Sequence, residues 1–415
     1  MKKLLLIALT FMTVFFITAC DNGEEDVREV ELDVFMSFPR FQEQFETYFE
    51  LFEAKMLEEE NIKVTINLEM PSSDTAQQLL QARLSSNDAP DIYTLHAIAD
   101  IPSYYEAGYL EDLSDAEFTN TVYESVLESV TYDDKIVALP LESLAWGYLY
   151  NKDMFAEYSL TPPQTLSEMQ EVVDTLNANG ETAFELAFQE SWIPQLMMAL
   201  ALGGMINSEE PNFIENMNNG TGSYADIDEV FGIIDLIMEN GTDKAFEIGG
   251  AAGSADFANG EAAMWVQGPW MSGSILDVNP DMNIGLAPLP VTDNPDTTMI
   301  NLSTSTSLGL SPTCENKDIA IKLINFILDA EHSSDLFSEL KFNPLSTVHT
   351  YQTFPWVDEA MSYVAQGKAY LEQGLPNGVT DETAAMLQEY YLGEKSQQEV
   401  IDAIDAAWQS ALDNQ

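Results

Sequence analysis

Residues 30–70, VELDVFMSFPRFQEQFETYFELFEAKMLEEENIKVTINLEM, decide the fold class. Val30, Leu32, Val34 and Met36 are apolar at every second position, the period of a strand with one face buried. Phe41, Phe45, Tyr48, Phe49, Phe52 and Met56 then recur at steps of three and four, which places them on one face of a helix. Ile62, Val64, Ile66, Leu68 and Met70 return to period two. A second helical stretch over residues 75–84 leads through the turn Asn87-Asp88-Ala89-Pro90 to a short apolar strand, Asp91-Ile92-Tyr93-Thr94-Leu95. Alternating strands and helices of these lengths predict an α/β fold, with a parallel sheet covered by helices on both faces.

The same punctuation continues outward. Thr165-Leu166-Ser167-Glu168, after Pro162-Pro163, is a capping box opening a helix that runs to about Ala178 and stops at Asn179-Gly180. Residues 317–328 form another helix with one apolar face, and the last fifty residues read as mostly helical. The chain has 415 residues and 46% are hydrophobic, enough for two or three domains of packed core. Disorder throughout is excluded despite a net charge of −55.

That charge comes from 15 Lys and Arg set against 70 Asp and Glu. With only Arg28, Arg40 and Arg83 as arginines, there is no cationic cluster for phosphate, so nucleic acid is excluded as a partner, and adsorption to anionic lipid is disfavoured. A neutral or cationic ligand remains, and so does a habitat of high salt or high pH in which an acidic surface keeps proteins soluble.

Met1 to Lys3 carry two positive charges, Leu4 to Phe16 are apolar or Thr, and Ile17-Thr18-Ala19-Cys20 follows. This is a secretory signal over residues 1–19, too short for a stable membrane span. The small residues before Cys20 resemble a bacterial lipobox, which implies lipid on Cys20, a membrane anchor, and residues 20–29 as an acidic tether. Cys314 is then alone, without a disulfide partner or a basic neighbour to activate it. His96, His332 and His349 are far apart and without zinc-site spacing, no glycine-rich phosphate loop follows a strand, and no nucleophile elbow is present. No metal or cofactor is expected. Paired carboxylates, as glycosidases use, are uninformative among so many acids.

Four segments stand in a particular order. Asn87-Asp88-Ala89-Pro90-Asp91-Ile92 precedes Gly108-Tyr109-Leu110-Glu111-Asp112-Leu113, and Lys135-Ile136-Val137-Ala138-Leu139-Pro140 runs into Leu149-Tyr150-Asn151-Lys152-Asp153-Met154-Phe155. Phe257-Ala258-Asn259-Gly260-Glu261-Ala262-Ala263-Met264 follows with Gly268-Pro269-Trp270, and Gly285-Leu286-Ala287-Pro288-Leu289-Pro290 comes last. The series resembles the extracellular solute-binding proteins of ABC importers, the family typified by maltose- and oligosaccharide-binding proteins. The resemblance implies two α/β lobes, each a mixed sheet flanked by helices, closing on a sugar, with residues 30–141 and 288–311 in the first lobe and 142–287 and 312–415 in the second. It also implies a monomer that carries out no chemistry and hands its ligand to an ABC permease.

A sugar offers apolar CH faces and a rim of hydroxyls, so its sites pair flat aromatic rings with carboxylates and amides. Trp270 and Trp192 match, or nearly match, positions where the family stacks aromatics. Trp146 and Glu142 lie in the crossing segment where the cleft floor is expected. Phe38 and Arg40 sit in the loop leaving the first strand, and ligands bind outside the carboxyl ends of strands in such sheets. Where maltose-type proteins carry a Trp and then an Asp-Arg pair, this chain has His96 and Asp100, which argues against maltose itself. Asn377-Gly378-Val379-Thr380 lacks the aromatic that the family often adds there. Trp265, Trp356 and Trp408 read as core. Alternatives are a polyamine or other cationic solute, a secreted glycosidase, and an adhesive surface lipoprotein.

Overall fold

The computed structural model describes residues 27–86, 88–376 and 378–413. The signal, Cys20 and most of the tether lie outside them.

The first strand, β1 (Arg28–Phe35), pairs parallel with β2 (Ile62–Glu69) and with β3 (Ile92–Leu95). The helix between β1 and β2 is Gln42–Glu60, and it buries Phe45, Tyr48, Phe49, Phe52 and Met56 as their spacing requires. It ends at Asn61, in left-handed conformation. After a small hairpin, β4 (Thr131–Tyr132) with β5 (Lys135–Ile136), comes the long strand β6 (Ala138–Trp146). It turns at Gly147 into β7 (Tyr148–Asn151), which pairs antiparallel with β8 (Met264–Trp265) and β9 (Ile284–Ala287). Single parallel bridges at Phe184 extend this second sheet. The strand β10 (Ile300–Leu310) is antiparallel to both β3 and β6, and its start is parallel to β11 (Ala369–Leu371). The first sheet is therefore mixed: its β2-β1-β3 part is parallel as expected, and β10 reverses direction beside β3.

Apolar side chains gather on both faces of that first sheet. Val30, Leu32 and Val34 face the helices Gln42–Glu60 and Lys317–Phe326, while Phe35, Tyr93 and Leu95 face Leu80, Leu84 and Tyr104. A separate core holds β7, β8, β9 and the helix Gln195–Ile206, apolar after its first residue, together with Trp265, Trp356 and Trp408. The capping box forms at the helix Leu166–Asn179, where Thr165 Oγ1 accepts from the Glu168 amide at 3.2 Å. The reciprocal bond lands one residue early, Glu168 Oε2 accepting from the Gln164 amide.

The two cores divide the later part of the chain. Leu289, Val291 and Ile300 belong to the second core, and the chain returns along β10. Ile319, Leu323, Phe337 and Leu345 pack against β1 and its helix, so the stretch through Leu345 stays with the first core and the last crossing precedes Trp356.

Where β6 turns into β7, an added Cβ on Gly147 would sit 2.2 Å from the Ala287 carbonyl oxygen and 3.2 Å from Ile300 Cδ1. Gly147→Ala is therefore expected to lower the melting temperature by several degrees, an overpacking cost of about 1–3 kcal/mol. Calorimetry checks it; an unchanged melting temperature would mean that β6, β7 and β9 separate freely.

Candidate functional site

Both long strands run from one core to the other, and the polar middle of each lies between the cores. Along β6 the change falls at Glu142-Ser143, between Leu141 in the first core and Leu144 in the second. Along β10 it falls at Ser303-Thr304-Ser305-Thr306-Ser307, between Leu302 and Leu308. Glu142 lies opposite Thr306 in the pairing, which is irregular on both sides of Thr306. These residues form the floor of a cleft.

A cavity of about 260 Å³ opens on that floor. The loop after β1 supplies Ser37, Phe38 and Arg40, β6 supplies Glu142 and Trp146, and the second lobe supplies Trp192 and Trp270. His96, at the carboxyl end of β3, completes the first-lobe side. Seven of the eight sequence-derived candidates thus meet around one cavity; Asp100 lines the adjoining cavity of about 400 Å³ instead. The walls also include residues that the sequence reading missed: Ser303, Ser305, Thr306, Gln195 and Glu372 here, and Thr380 and Asp381 next door. The hydroxyl run 303–307 between apolar residues was the one available signal for these.

The tryptophans are fixed in different ways. Trp146 is buried, and its ring centroid lies 5.5 Å from that of Trp270, with the planes tilted by 60°. Trp270 Nε1 is enclosed without a hydrogen-bond partner among the described residues. Trp192 donates through Nε1 to Glu190 Oε2 at 2.7 Å, and Glu190 Oε1 accepts from the Gly250 amide at 2.8 Å, so the ring is held from behind.

The only arginine at the cleft lies over two phenyl rings. Arg40 Cζ is 4.5 Å from the Phe41 centroid and 5.3 Å from that of Phe38. It makes no hydrogen bond or ion pair to another described residue, although its side chain keeps exposed area. Enclosure by the cleft pulls its pKa below the ordinary value, while Glu142 and Glu190 act against that pull. Burial pushes the Glu142 carboxyl up, opposed by Arg40 and by the Thr306 hydroxyl, which donates to Glu142 Oε2 at 3.4 Å. A carboxylate and a guanidinium with unused bonding capacity therefore face the same space.

His96 and Asp100 form a local turn. Asp100 Oδ2 accepts from the His96 amide at 2.7 Å, and His96 Nδ1 accepts from the Ile98 and Ala99 amides at 3.3 Å. The other ring nitrogen, Nε2, is left to carry the proton and lies 3.8 Å from Glu372 Oε2, an oxygen that also accepts from the Ser303 hydroxyl. Burial raises the Asp100 carboxyl, with a smaller push from Asp381. A third cavity of about 190 Å³, lined by Gln195, Tyr370 and Glu372, also touches His96, which stands where all three spaces meet.

Trp265, Trp356 and Trp408 are buried in the second core, and Cys314 is buried beside Asp91, its thiol pushed up to about 12. His349 is buried elsewhere, with its pKa lowered to about 4 by desolvation. Among the described residues no group of three His, Cys, Asp or Glu side chains is placed to hold a metal ion, and no helix is long and apolar enough to cross a membrane.

A family model described as bacterial extracellular solute-binding protein matches residues 39–333. The multiple sugar-binding protein of Streptococcus mutans is 25% identical over 296 residues, 70% of each chain. The melibiose/raffinose/stachyose-binding protein MelE of Bacillus subtilis is 21% identical over 57% of this chain and 56% of its own. Among solved structures, a sugar transporter of Bacillus licheniformis in complex with stachyose superposes with a TM-score of 0.80 at 19% identity, covering 92% of this chain and all of that one. A chitin oligosaccharide binding protein does so at 0.79 and 21% identity, over 93% and 99%.

Proposed function

Because this chain belongs to the bacterial extracellular solute-binding proteins, we propose that it captures a mono- to oligosaccharide between its lobes and delivers it to an ABC permease. The observation that carries this is the convergence of Trp146, Trp192 and Trp270 with Glu142 and Arg40 on one cavity where the chain crosses between lobes. Indole faces suit the CH faces of a sugar ring, and Glu142, Arg40 and the hydroxyls of Ser303, Ser305 and Thr306 suit its rim. Closure is a population shift: ligand touching both lobes favours the closed form by its differential affinity. The protein acts by binding alone, as a monomer held to the outer face of the membrane by lipid on Cys20.

Glu142, Glu372, Asp100 and Asp381 line the cleft with one arginine, and this favours a second reading, a polyamine or other cationic solute. A thermal-shift screen of the form beginning after Cys20, against sugars and polyamines, separates the two, since a ligand of the native state raises the melting temperature. A rise with a sugar series, and at least a tenfold loss of affinity in Trp270→Ala, is expected. A response to polyamines alone would move the assignment to the second reading.

A further inference from the structure

The cleft does not end at the tryptophans. Ser37, His96, Trp192, Ser305 and Thr306 line both the tryptophan cavity and the larger one of about 400 Å³ beside it. With five wall residues in common, the two spaces are continuous, and a ligand ring held in the first is followed directly by room for another.

The second space differs in charge. Of the residues lining it, Asp100 and Asp381 are the acids, and neither Lys nor Arg is among them. They come from opposite sides of the cleft: Asp100 follows β3 in the first lobe, and Asp381 stands in the first turn of the helix Val379–Tyr391, which packs into the second core. Asp100 spends one oxygen on the His96 amide, and Asp381 accepts no hydrogen bond from another described residue. An ionised carboxylate only accepts, so a group lying between these side chains is favoured when it offers donors. Hydroxyl groups of a neutral sugar do so, and an amine does so with favourable charge. A third carboxylate there would meet two other acids, and like charges set side by side disfavour binding.

Resting on the carbohydrate reading, we propose that Asp100 and Asp381 act as a charge filter: the larger cavity takes a neutral or cationic sugar unit linked to the one among the tryptophans and rejects a uronic acid unit. Neither residue type nor spacing marks this in the sequence, since Asp100 and Asp381 are 281 positions apart.

The test uses calorimetric titration of the chain beginning after Cys20 with raffinose, maltotriose and α-1,4-galactotriose, each beside the counterpart whose primary hydroxyls are oxidised to carboxylates. Every neutral trisaccharide that binds is expected to lose at least tenfold in affinity on oxidation. Asp381→Asn should shrink that ratio several-fold, and Asp381→Glu, which restores the charge, should keep it. An equal affinity for both members of a pair, or a ratio that Asp381→Asn leaves unchanged while the variant melts as the parent does, overturns the filter alone. If no neutral sugar in this set or in the wider screen binds, the carbohydrate reading itself falls, and the filter with it.

Discussion

Glu185→Gln is expected to stabilise this protein by roughly 3–4 kcal/mol at pH 8 and by almost nothing at pH 4.5. Glu185 is 2% exposed in the second core, beside β8, where its amide donates to the Met264 carbonyl. One carboxyl oxygen, Oε1, lies 3.4 Å from the Thr242 hydroxyl, and Oε2 is enclosed without a partner among the described residues. Burial, with Asp256 and Glu261 adding to it, raises the carboxyl from 4.5 to about 8. The folded chain therefore holds a proton that the unfolded chain releases. Between about pH 4.5 and pH 8 the native state binds more protons than the unfolded state, so stability falls as pH rises through that window and levels off above it. At about 1.4 kcal/mol per pH unit the full penalty is of order 4 kcal/mol. Glutamine keeps the shape, cannot ionise, and turns an amide donor toward the neighbouring acids. Urea unfolding of both proteins at pH 4.5, 6 and 8 isolates the effect, because all other titrations cancel in the difference; a difference that does not grow with pH would show that Glu185 ionises freely in the fold.

The second large effect concerns the whole surface. A net charge of −55 on 415 residues is self-repulsion spread over every exposed face, and folding concentrates it. Pairing relieves little of this, because among the described residues the ion pairs are few and mostly half-exposed or exposed, as with Arg28–Asp318 and Lys63–Glu29. Raising potassium chloride from 0.1 M to 1 M shortens the screening length from about 10 Å to about 3 Å. The melting temperature is expected to climb markedly over that range and then level off. Potassium chloride is the appropriate salt, since sulfate also strengthens apolar burial. Indifference to it would remove the case for a saline habitat and show that the acids are already compensated in the fold.

How much of this was legible in the sequence depended on the distance between partners. Residues 30–70 were read correctly because a strand, an amphipathic helix and a second strand are each defined by their own periodicity. The helix at Thr165 was legible through its cap for the same reason. Trp146 and Glu142 could be chosen because the family resemblance located the crossing, Trp192, Trp270 and His96 because they fall at or near positions the family uses, and Arg40 because it follows the first strand, although their spacing alone says nothing of a common cavity. Glu372 and Asp381 were not legible: their counterparts His96 and Asp100 lie hundreds of residues earlier, and a single acid among seventy carries no signal. The same limit hides which core the later helices join. Residues 312–345 look like any helical pair, and only the complementary face of the Gln42–Glu60 helix decides which lobe they join.

The hydroxyl run Ser303–Ser307 belongs to neither core, and this bears on how such a chain diversifies. Exchanges among small polar residues at Ser303, Ser305 or Thr306 alter the cleft wall at positions that neither apolar core includes. A lineage can therefore explore new ligands at these positions without first accumulating spare stability, and specificity is free to drift faster than the architecture that holds it.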